Sequence, residues 1–482
     1  MSTFTLTEST PAQIDAAVAA AAAAADAWGA SSADTRAALL NGLADALAGA
    51  RETLVPLADA ETSLGPVRLN GELDRTVFQL RRFAGLAASA FAFTDDPAVA
   101  GAPPAGHPAL ARVAVPLGPV AMFSASNFPF AFSVLGGDTA SALAAGCPVV
   151  VKSHPGHAQL SRAVVALAQQ VVAAQGLPAG VFGAVEGASV EVGVALVQHP
   201  DIAAVAFTGS FQGGAALNRV AQNRPRPIPF YGELGSVNPV LALAPALASK
   251  AAELASTLAG SITLGCGQFC TSPGLVLLPD APGREAFVEA LVAALAAQNP
   301  HAMLTAGMRR NFDAGVARVQ AAPAGAVQVL LQSAAAEAPT NAAPRPFLAI
   351  TDAAAVIAHP ALHEEVFGPA CLLVRVASAD EAVAVLRAIG GSLTVTVWGG
   401  DEDTADTRRL VRAAMQIAGR VLFAGVPTGV AVSAGQQHGG PWPASTAPAT
   451  TSVGDAALQR FLRPVALQDA PAWLLAQQGR PV

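Results

Sequence analysis

The run Leu264-Gly265-Cys266-Gly267-Gln268-Phe269-Cys270-Thr271-Ser272-Pro273 sets the thiol of Cys270 among glycines and turn-forming residues. Such a segment is typical of a loop with accessible backbone amides, which can stabilise a thiolate or a developing oxyanion. A lone cysteine in an apolar chain is more often a small buried hydrophobe, and Cys266 fits that description better. Cys270 is therefore the candidate nucleophile of the pair.

A second motif lies upstream and contains a glutamate: Tyr231-Gly232-Glu233-Leu234-Gly235-Ser236-Val237-Asn238-Pro239. A glutamate is most often a solvated charge. Here the apolar neighbours of Glu233 offer desolvation, which we expect to raise the pKa of its carboxyl toward that of a general base. A cysteine nucleophile with a carboxylate base is the working hypothesis.

The composition limits the classes of partner. Hydrophobic residues make up 52% of the 482 residues and charged ones 13%, which predicts extensive burial, including subunit contacts. The net charge is −7, and lysine and arginine form no cluster. A basic surface for nucleic acid or an anionic membrane is therefore not expected. We expect a homo-oligomer that acts on a small molecule.

Targeting and redox features point to a soluble, cytoplasmic protein. The first basic residue is Arg36, so the start lacks the charged region of a secretory signal. No apolar stretch reaches the roughly 18 to 20 residues of a membrane span without interruption. The cysteines have neither a disulfide framework nor zinc spacing, so we predict no metal and a reducing compartment. They are Cys147, Cys266, Cys270 and Cys371.

The order of helical and strand-like segments favours an α/β fold. The β-like section 113–123 is followed by a break at Asn127-Phe128-Pro129, a predicted helix over 131–145 and an apolar run over 148–151. A second unit leads from a strand over 202–207 through a glycine turn into a helix over 214–222. Both are parallel-sheet units.

The turn Thr208-Gly209-Ser210 and two polar residues at strand ends allow alternative interpretations. A glycine turn before a helix can bind a pyrophosphate, but both the P-loop and the Rossmann glycine pattern are missing, so a purely structural turn stays open. Asn127 is either a turn residue or an amide donor to an oxyanion. Lys152, at a predicted strand end, either meets a ligand or reaches solvent.

Taken together, these segments resemble the aldehyde dehydrogenase superfamily over nearly the whole chain, from about Ala16 onward. The resemblance implies that Cys270 is the nucleophile, Glu233 the general base and Asn127 the oxyanion donor. The segment Glu364-Glu365-Val366-Phe367-Gly368-Pro369 resembles the one that holds the nicotinamide ribose and lines the ring. The cofactor contacts implied by the resemblance are Lys152, Ser153, His154, Gly209, Ser210, Gly214, Glu365 and Phe367.

The same resemblance implies an architecture. We expect a Rossmann-type cofactor domain over 1–232 with a bridging segment near 98–116, and an α/β catalytic domain over 233–440. A C-terminal loop and oligomerisation strand follow over 441–482. The strand, predicted over 461–468, contains Pro464, which suits only a sheet edge, and it could extend a partner's sheet. A homodimer or homotetramer follows.

Further motifs narrow the implied reaction. The glutamate motif and the late segment over 439–444 resemble those of 2,5-dioxovalerate dehydrogenases, which oxidise α-ketoglutarate semialdehyde to 2-oxoglutarate. NADP-dependent fatty aldehyde dehydrogenases share the sequence Gly-Gln-Phe-Cys and are the alternative. The segment Lys152-Ser153-His154-Pro155 lacks the glutamate that NAD-preferring relatives place against the adenosine ribose. NADP is therefore the expected cofactor, with NAD possible.

Two departures from the family pattern stand out. Residues 133–137 supply no arginine for a distal carboxylate, so carboxylate recognition has to come from elsewhere or be weak. His438-Gly439-Gly440-Pro441-Trp442 replaces the common Pro-Phe-Gly-Gly motif, and we interpret His438 as structural.

Two other classes of protein stay open. A cofactor-independent cysteine hydrolase is disfavoured because the spacing suggests no histidine partner for Cys270. A non-catalytic protein with the same fold is disfavoured because Asn127, Glu233 and Cys270 are all present.

Overall fold

The computed structural model describes residues 6–91, 93–299, 301–332 and 342–475. Residues 476–482 of the predicted C-terminal segment therefore lie outside the described residues. The helices in chain order are α1 (Pro11–Gly29), α2 (Ala33–Gly49), α3 (Arg51–Thr62), α4 (Pro66–Leu86), α5 (Gly137–Ala144), α6 (Ala158–Ala174), α7 (Val190–Gln198), α8 (Phe211–Gln222), α9 (Ala244–Thr263), α10 (Arg284–Ala296), α11 (Ala306–Gln320), α12 (Ala353–Ala358), α13 (Ala379–Ile389), α14 (Ala405–Ile417) and α15 (Ala472–Leu475). The strands are β1 (Phe93–Asp96), β2 (Leu110–Pro116), β3 (Val120–Phe123), β4 (Val149–Lys152), β5 (Phe182–Val185), β6 (Ala204–Thr208), β7 (Phe230–Glu233), β8 (Val240–Ala242), β9 (Leu275–Pro279), β10 (Val327–Leu331), β11 (Phe347–Asp352), β12 (Ala370–Val376), β13 (Ser392–Trp398), β14 (Ala418–Leu422) and β15 (Leu462–Gln468).

The first sheet is parallel throughout and has the strand order β5-β4-β3-β6-β7. Its strands are apolar runs because both faces are covered. In β3, Val120 and Met122 face one hydrophobic cluster while Ala121 and Phe123 face another on the opposite side. The strand order reverses at β3, which leaves a crevice outside the carboxyl ends of β3 and β6.

Two predicted boundaries in this region are wrong. The section 113–123 is two strands, β2 and β3, which belong to different sheets; between them Gly118 has a φ of 118° and turns the chain. The helix predicted over 131–145 begins only at Gly137, because the preceding residues form turns in which the Gly136 amide donates to the Ser133 carbonyl and the Gly137 amide to the Ala131 carbonyl.

The second sheet has seven strands in the order β10-β11-β12-β9-β8-β13-β14. All pairings are parallel except that of β10 with β11 at one edge. The Cys270 loop connects α9 to β9, and Glu233 is the last residue of β7 in the first sheet. The two predicted catalytic residues therefore come from different sheets: Glu233 ends a strand of the first, and Cys270 lies in a loop before a strand of the second.

A small antiparallel sheet of β1, β2 and β15 links the two ends of the chain. Pro464 lies in β15 and pairs with Ala114 of β2. β15 is an edge strand, as expected for a strand with a residue that cannot donate a backbone hydrogen bond. In this chain β15 pairs with its own β2. Among the described residues, no helix combines the length and apolar character that a bilayer span requires.

Candidate active site

The loop before Cys270 has a backbone that mostly glycine can adopt. Gly265, Cys266 and Gly267 all have positive φ values, of 57°, 58° and 67°. A Cβ on Gly267 would lie 2.2 Å from the backbone carbon of Gly368, so a side chain there would clash. Cys266 is fully buried and burial raises the pKa of its thiol to about 12, so it stays a structural residue.

Asn238 anchors the nucleophile loop, a role that the sequence analysis missed. Its side-chain amide donates to the carbonyl of Cys270 at 2.8 Å and to that of Ser272 at 2.9 Å. Asn238 is fully buried and has a φ of 48°, a conformation that asparagine tolerates better than most residues. The motif around Glu233 thereby supplies both a carboxylate and the amide that fixes the position of Cys270.

Cys270, Glu233 and His438 lie together, with their potential ligand atoms within 4.8 Å of one another. Nε2 of His438 is 2.9 Å from Oε1 of Glu233 and 3.7 Å from Sγ of Cys270. The Ser452 hydroxyl donates to the other Glu233 oxygen at 2.7 Å. The interpretation of His438 as merely structural is therefore wrong, as is the expectation that Cys270 has no histidine partner.

The two reacting groups have shifted pKa values. Burial acts to raise the pKa of the Glu233 carboxyl, but hydrogen bonds from His438, Ser452 and Cys270 together hold it below its usual range. The predicted rise is wrong because these donors were unknown. Burial and the negative charge of Glu233 raise the pKa of the Cys270 thiol well above its usual value. The resting site therefore pairs a thiol with a carboxylate.

The ring proton of His438 follows from its contacts. Nε2 is the nitrogen near both partners, whereas Nδ1 is buried without a hydrogen-bond partner among the described residues. Since an unpaired buried N–H costs more than an unpaired lone pair, we assign the proton to Nε2, donated to Glu233. In this state His438 is a donor to Glu233 and does not accept the thiol proton.

Asn127 points its amide at the nucleophile loop. Its Nδ2 donates to the carbonyl of Gln268 at 2.9 Å and keeps a second N–H. The segment that carries it is held by helix α4: Arg68 donates to the Asn127 carbonyl at 2.6 Å, and Glu72 accepts from the Phe130 amide at 2.8 Å. Arg68 also lies between two aromatic rings, 5.1 Å from that of Phe128 and 4.7 Å from that of Phe269.

The crevice at the carboxyl end of the first sheet fits a dinucleotide. Two hydroxyls are buried there without hydrogen-bond partners in the described part of the chain. They belong to Ser124, which follows β3, and to Thr208, the last residue of β6. Ser210 caps α8 by accepting from the Gly213 amide at 3.2 Å, so the helix amino terminus opens at this edge. Unpaired polar groups beside a helix amino terminus suit a pyrophosphate ligand.

The remaining residues of this region have different surroundings. Lys152 ends β4 and donates to the Gly187 carbonyl, and Ser153 next to it is buried. His154 accepts from the Gly156 amide at 3.0 Å, and burial lowers the pKa of its ring well below the usual value. Its ring is therefore uncharged at neutral pH.

Two glycines of this region pack closely against the core. A Cβ on Gly209 would lie 2.9 Å from the Phe207 ring, and one on Gly214 would lie 2.1 Å from Leu234. Gly214 thus packs α8 against the segment after Glu233. That either glycine contacts the cofactor stays a prediction.

The sequence analysis overlooked one acidic group near Lys152. Glu8 accepts hydrogen bonds from the amides of Ala188 and Ser189, and its charge acts on Lys152. This carboxylate stands close to the strand end for which no acidic residue was expected. Its negative charge would oppose a 2′-phosphate bound at this strand end.

Glu365 and Phe367 line a cavity together with Gly267 and Ser236. A Cβ on Gly235 would lie 2.7 Å from Oε2 of Glu365, so a glycine there gives this carboxyl its room. Burial raises the pKa of the Glu365 carboxyl to about 8. The structure therefore brings both predicted nicotinamide-side residues next to the Cys270 loop.

Comparison with known proteins assigns the family. A model of the aldehyde dehydrogenase family matches residues 2–440. The chain belongs to the aldehyde dehydrogenase family. The chain is 44% identical to alpha-ketoglutaric semialdehyde dehydrogenase 2 of Azospirillum brasilense over 94% of its own length and 86% of that protein. It is 38% identical to alpha-ketoglutaric semialdehyde dehydrogenase of Acinetobacter baylyi, covering 89% and 82% of the two chains.

Solved structures agree with this aldehyde dehydrogenase fold. Proline utilization A of Bradyrhizobium japonicum superposes with a TM-score of 0.80 at 26% identity, over 96% of this chain and 45% of that one. The present chain thus spans less than half of that protein. Betaine aldehyde dehydrogenase of Staphylococcus aureus superposes with a TM-score of 0.79 at 21% identity, over 97% and 90%. The predicted fold class and family are confirmed.

Proposed function

We propose that this aldehyde dehydrogenase oxidises α-ketoglutarate semialdehyde to 2-oxoglutarate and prefers NADP. The observation that carries the substrate is the 44% identity to a chain named alpha-ketoglutaric semialdehyde dehydrogenase 2 over most of both lengths. The local chemistry is compatible, because a thiol and a carboxylate lie together and the Asn127 amide donates to the Gln268 carbonyl, two residues before Cys270.

In this proposal the thiolate of Cys270, formed by loss of its proton to solvent, attacks the aldehyde carbon, and Glu233 is reserved for the hydrolytic step. The developing oxyanion accepts from the second N–H of Asn127 and from the Cys270 backbone amide. A nicotinamide dinucleotide, when bound, supplies the hydride acceptor. Lys152, Ser153, His154, Gly209, Ser210, Gly214, Glu365 and Phe367 are the residues that we propose to hold it.

Hydrolysis of the thioester on Cys270 needs an activated water. Glu233 is the proposed base, and a positioned base of this kind contributes about 10²- to 10⁴-fold to rate. Its hydrogen bonds from His438 and Ser452 hold the carboxylate in one orientation between the thiol and the late loop. His438 is thus a positioning residue for Glu233.

The preference for NADP rests on the lack of an acidic residue over Lys152-Ser153-His154-Pro155. Lys152 adds a positive charge at this strand end, whereas the charge of Glu8 opposes a 2′-phosphate. The carboxylate of Glu8 is engaged by the Ala188 and Ser189 amides, which reduces its effect on a neighbouring ligand. We also propose a homodimer or homotetramer in which the outer edge of β15 pairs with another subunit.

The test is a set of initial rates of nicotinamide reduction at subsaturating substrate. α-Ketoglutarate semialdehyde and decanal are each measured with NADP and with NAD. We expect the highest kcat/KM for the semialdehyde with NADP. A higher kcat/KM for decanal would favour a fatty aldehyde dehydrogenase, and equal rates with NAD would refute the cofactor preference.

A second candidate activity is the hydrolysis of activated esters without a cofactor, because Nε2 of His438 lies 3.7 Å from Sγ of Cys270 and could accept the thiol proton in the other ring tautomer. Turnover of p-nitrophenyl acetate that persists without NADP, together with no nicotinamide reduction by any aldehyde, would support the hydrolase alternative.

A further inference from the structure

Arg75 is a buried cation with an unpaired edge. It lies on α4, and its Nη1 donates to the carbonyl of Val430. Its Nε and Nη2 are buried and have no hydrogen-bond partner among the described residues. Charged donors left unpaired in a protein interior cost more than neutral ones, so such a group calls for a ligand or another explanation.

The unpaired edge is the one that binds carboxylates elsewhere in this protein. Arg82, two turns further along α4, uses Nε and Nη2 to hold both oxygens of Asp455, the second at 2.8 Å. Arg162 holds both oxygens of Glu186 in the same way, at 2.7 and 2.6 Å. A guanidinium that presents this fork favours a planar carboxylate with two parallel hydrogen bonds.

Arg75 stands beside the reacting groups. Its guanidinium carbon is 5.9 Å from the centre of the Phe132 ring, which is 6.4 Å from that of His438. Burial lowers the pKa of Arg75, while negative charge at Glu72, Cys270 and Glu233 acts in the opposite direction. The Phe132 ring is therefore all that the described contacts place between Arg75 and His438 of the reacting cluster.

A second arginine adds charge on the other side of the same loop. Arg420 donates to the carbonyls of Gly429 and Pro427, both at 2.6 Å, while its Nε is buried and unpaired in the described part of the chain. The charge of Cys270 also acts on Arg420. Residues 427–430 are thus held between two cations.

The apolar surface between these cations is small. Phe132 clusters with Phe128, Val430, Val432 and Val453. Glu72 is an acidic neighbour of Arg75, but its Oε1 already accepts from the Phe130 and Ala131 amides. The other oxygen, Oε2, lies 4.0 Å from Nε of Arg68, and the Nε and Nη2 edge of Arg75 stays unpaired among the described residues. An unpaired buried cationic edge suits an anionic group.

We propose that Arg75 binds the distal carboxylate of a short semialdehyde substrate through Nε and Nη2, with Arg420 adding positive charge. This inference rests on the proposed function. It identifies a carboxylate-binding arginine, which residues 133–137 do not supply. A five-carbon chain places its carboxylate about 5 Å from the reacting carbon, given bonds of about 1.5 Å. The recognising cation therefore has to lie close to the reacting cluster, and Arg75 stands one aromatic ring away from His438, whose Nε2 is 3.7 Å from Sγ of Cys270.

The test compares α-ketoglutarate semialdehyde with pentanal, which has the same chain length and no carboxylate. The variants are Arg75→Met, which removes the charge, and Arg75→Lys, which keeps the charge and loses the fork. The control is Arg81→Met on the same helix, where the side chain is exposed and pairs with Asp45. In wild type we expect kcat/KM to favour the semialdehyde.

Arg75→Met should lower kcat/KM for the semialdehyde by about 10²- to 10³-fold and change that for pentanal by less than about threefold. Arg75→Lys should fall between, and Arg81→Met should match wild type. An equal loss with both substrates would overturn the inference, because Arg75 would then act only by holding the Val430 carbonyl. An unchanged substrate ratio would overturn it as well.

A second readout does not depend on turnover. Glutarate should slow the alkylation of Cys270 by iodoacetamide in wild type. In Arg75→Lys, the same protection should need at least about tenfold more glutarate. Equal protection of both proteins would contradict a carboxylate site at Arg75. A wild-type preference for pentanal would overturn the proposed function together with this inference, whereas an unaltered preference in the Arg75 variants would overturn the inference alone.

Discussion

Removal of the Glu233 charge should make Cys270 more reactive and still stop turnover. The carboxylate and the thiol have their ligand atoms within 4.8 Å. At that separation and an effective dielectric constant of about 20, a unit charge raises the free energy of the thiolate by about 3.5 kcal/mol. Glu233→Gln should therefore lower the pKa of the Cys270 thiol and raise the thiolate population at neutral pH by about 300-fold.

The gain in rate is smaller than the gain in thiolate. A thiolate of lower pKa is a weaker nucleophile, with a Brønsted coefficient of about 0.4 to 0.5. About half to three-fifths of the logarithmic gain remains, which predicts alkylation by iodoacetamide about 20- to 30-fold faster at pH 7. The steady-state oxidation rate should fall by about 10²- to 10⁴-fold, because no base remains for thioester hydrolysis.

The assay is the pseudo-first-order rate of alkylation between pH 6.5 and about 9.5, followed by loss of the burst of reduced nicotinamide. Glu364→Gln is the matched control, since Glu364 is exposed and pairs with Arg318. A single burst followed by stalled turnover should accompany faster alkylation in Glu233→Gln. Slower alkylation and no burst would refute this reasoning and make Glu233 the base that activates Cys270.

Three further predictions concern the neighbours of these groups. His438→Phe removes a donor to the Glu233 carboxylate, a hydrogen bond that contributes about 1.5 to 3 kcal/mol. The acidic limb of the plot of kcat/KM against pH should therefore move up by about 1 to 2 pH units. A limb that does not move would contradict the hydrogen bond. Burial raises the pKa of Glu365 to about 8 from 4.5, so the stability that this group contributes in its protonated form is lost as pH rises through about 8. Glu365→Gln should therefore gain Tm over wild type between pH 5 and about 8 and keep the gain above, and a gain independent of pH would be the contrary result. Asn238→Ala leaves the Cys270 and Ser272 carbonyls without their donor and should lower the free energy of unfolding by about 1 to 3 kcal/mol in urea melts, with Ser249→Ala, an exposed site, as the control.

The strand, turn and helix units of the first sheet could be predicted because their signals are local. Apolar runs bounded by glycine and proline specify β4 and β6, and Ser210 lies at the start of α8 as an N-cap residue should. The nucleophile loop could also be predicted, because its glycines adopt backbone conformations that few other residues can.

The partners of Glu233 could not be predicted, because they come from residues about 200 positions away in the chain. Without His438 and Ser452, desolvation was the sole effect in view, and it gave the wrong sign for the pKa shift. The replacement of a phenylalanine by His438 in the late motif was the one available signal. For Arg68 and Glu72 the signal was a charged pair four residues apart on one predicted helix.

Helix α4 serves the active site through one face. Four polar residues lie on this face at intervals of three or four, at positions 68, 72, 75 and 79. Arg68, Glu72 and Gln79 contact residues 127–131, the last by donating to the Ala131 carbonyl at 3.3 Å. Arg75 donates to the Val430 carbonyl. Each added or deleted residue in a helix rotates everything beyond it by about 100° and shifts it by about 1.5 Å. A single insertion between Arg68 and Gln79 would therefore turn some of these groups away together. In evolutionary terms, this helix should accept substitutions on its outer face and reject changes in length.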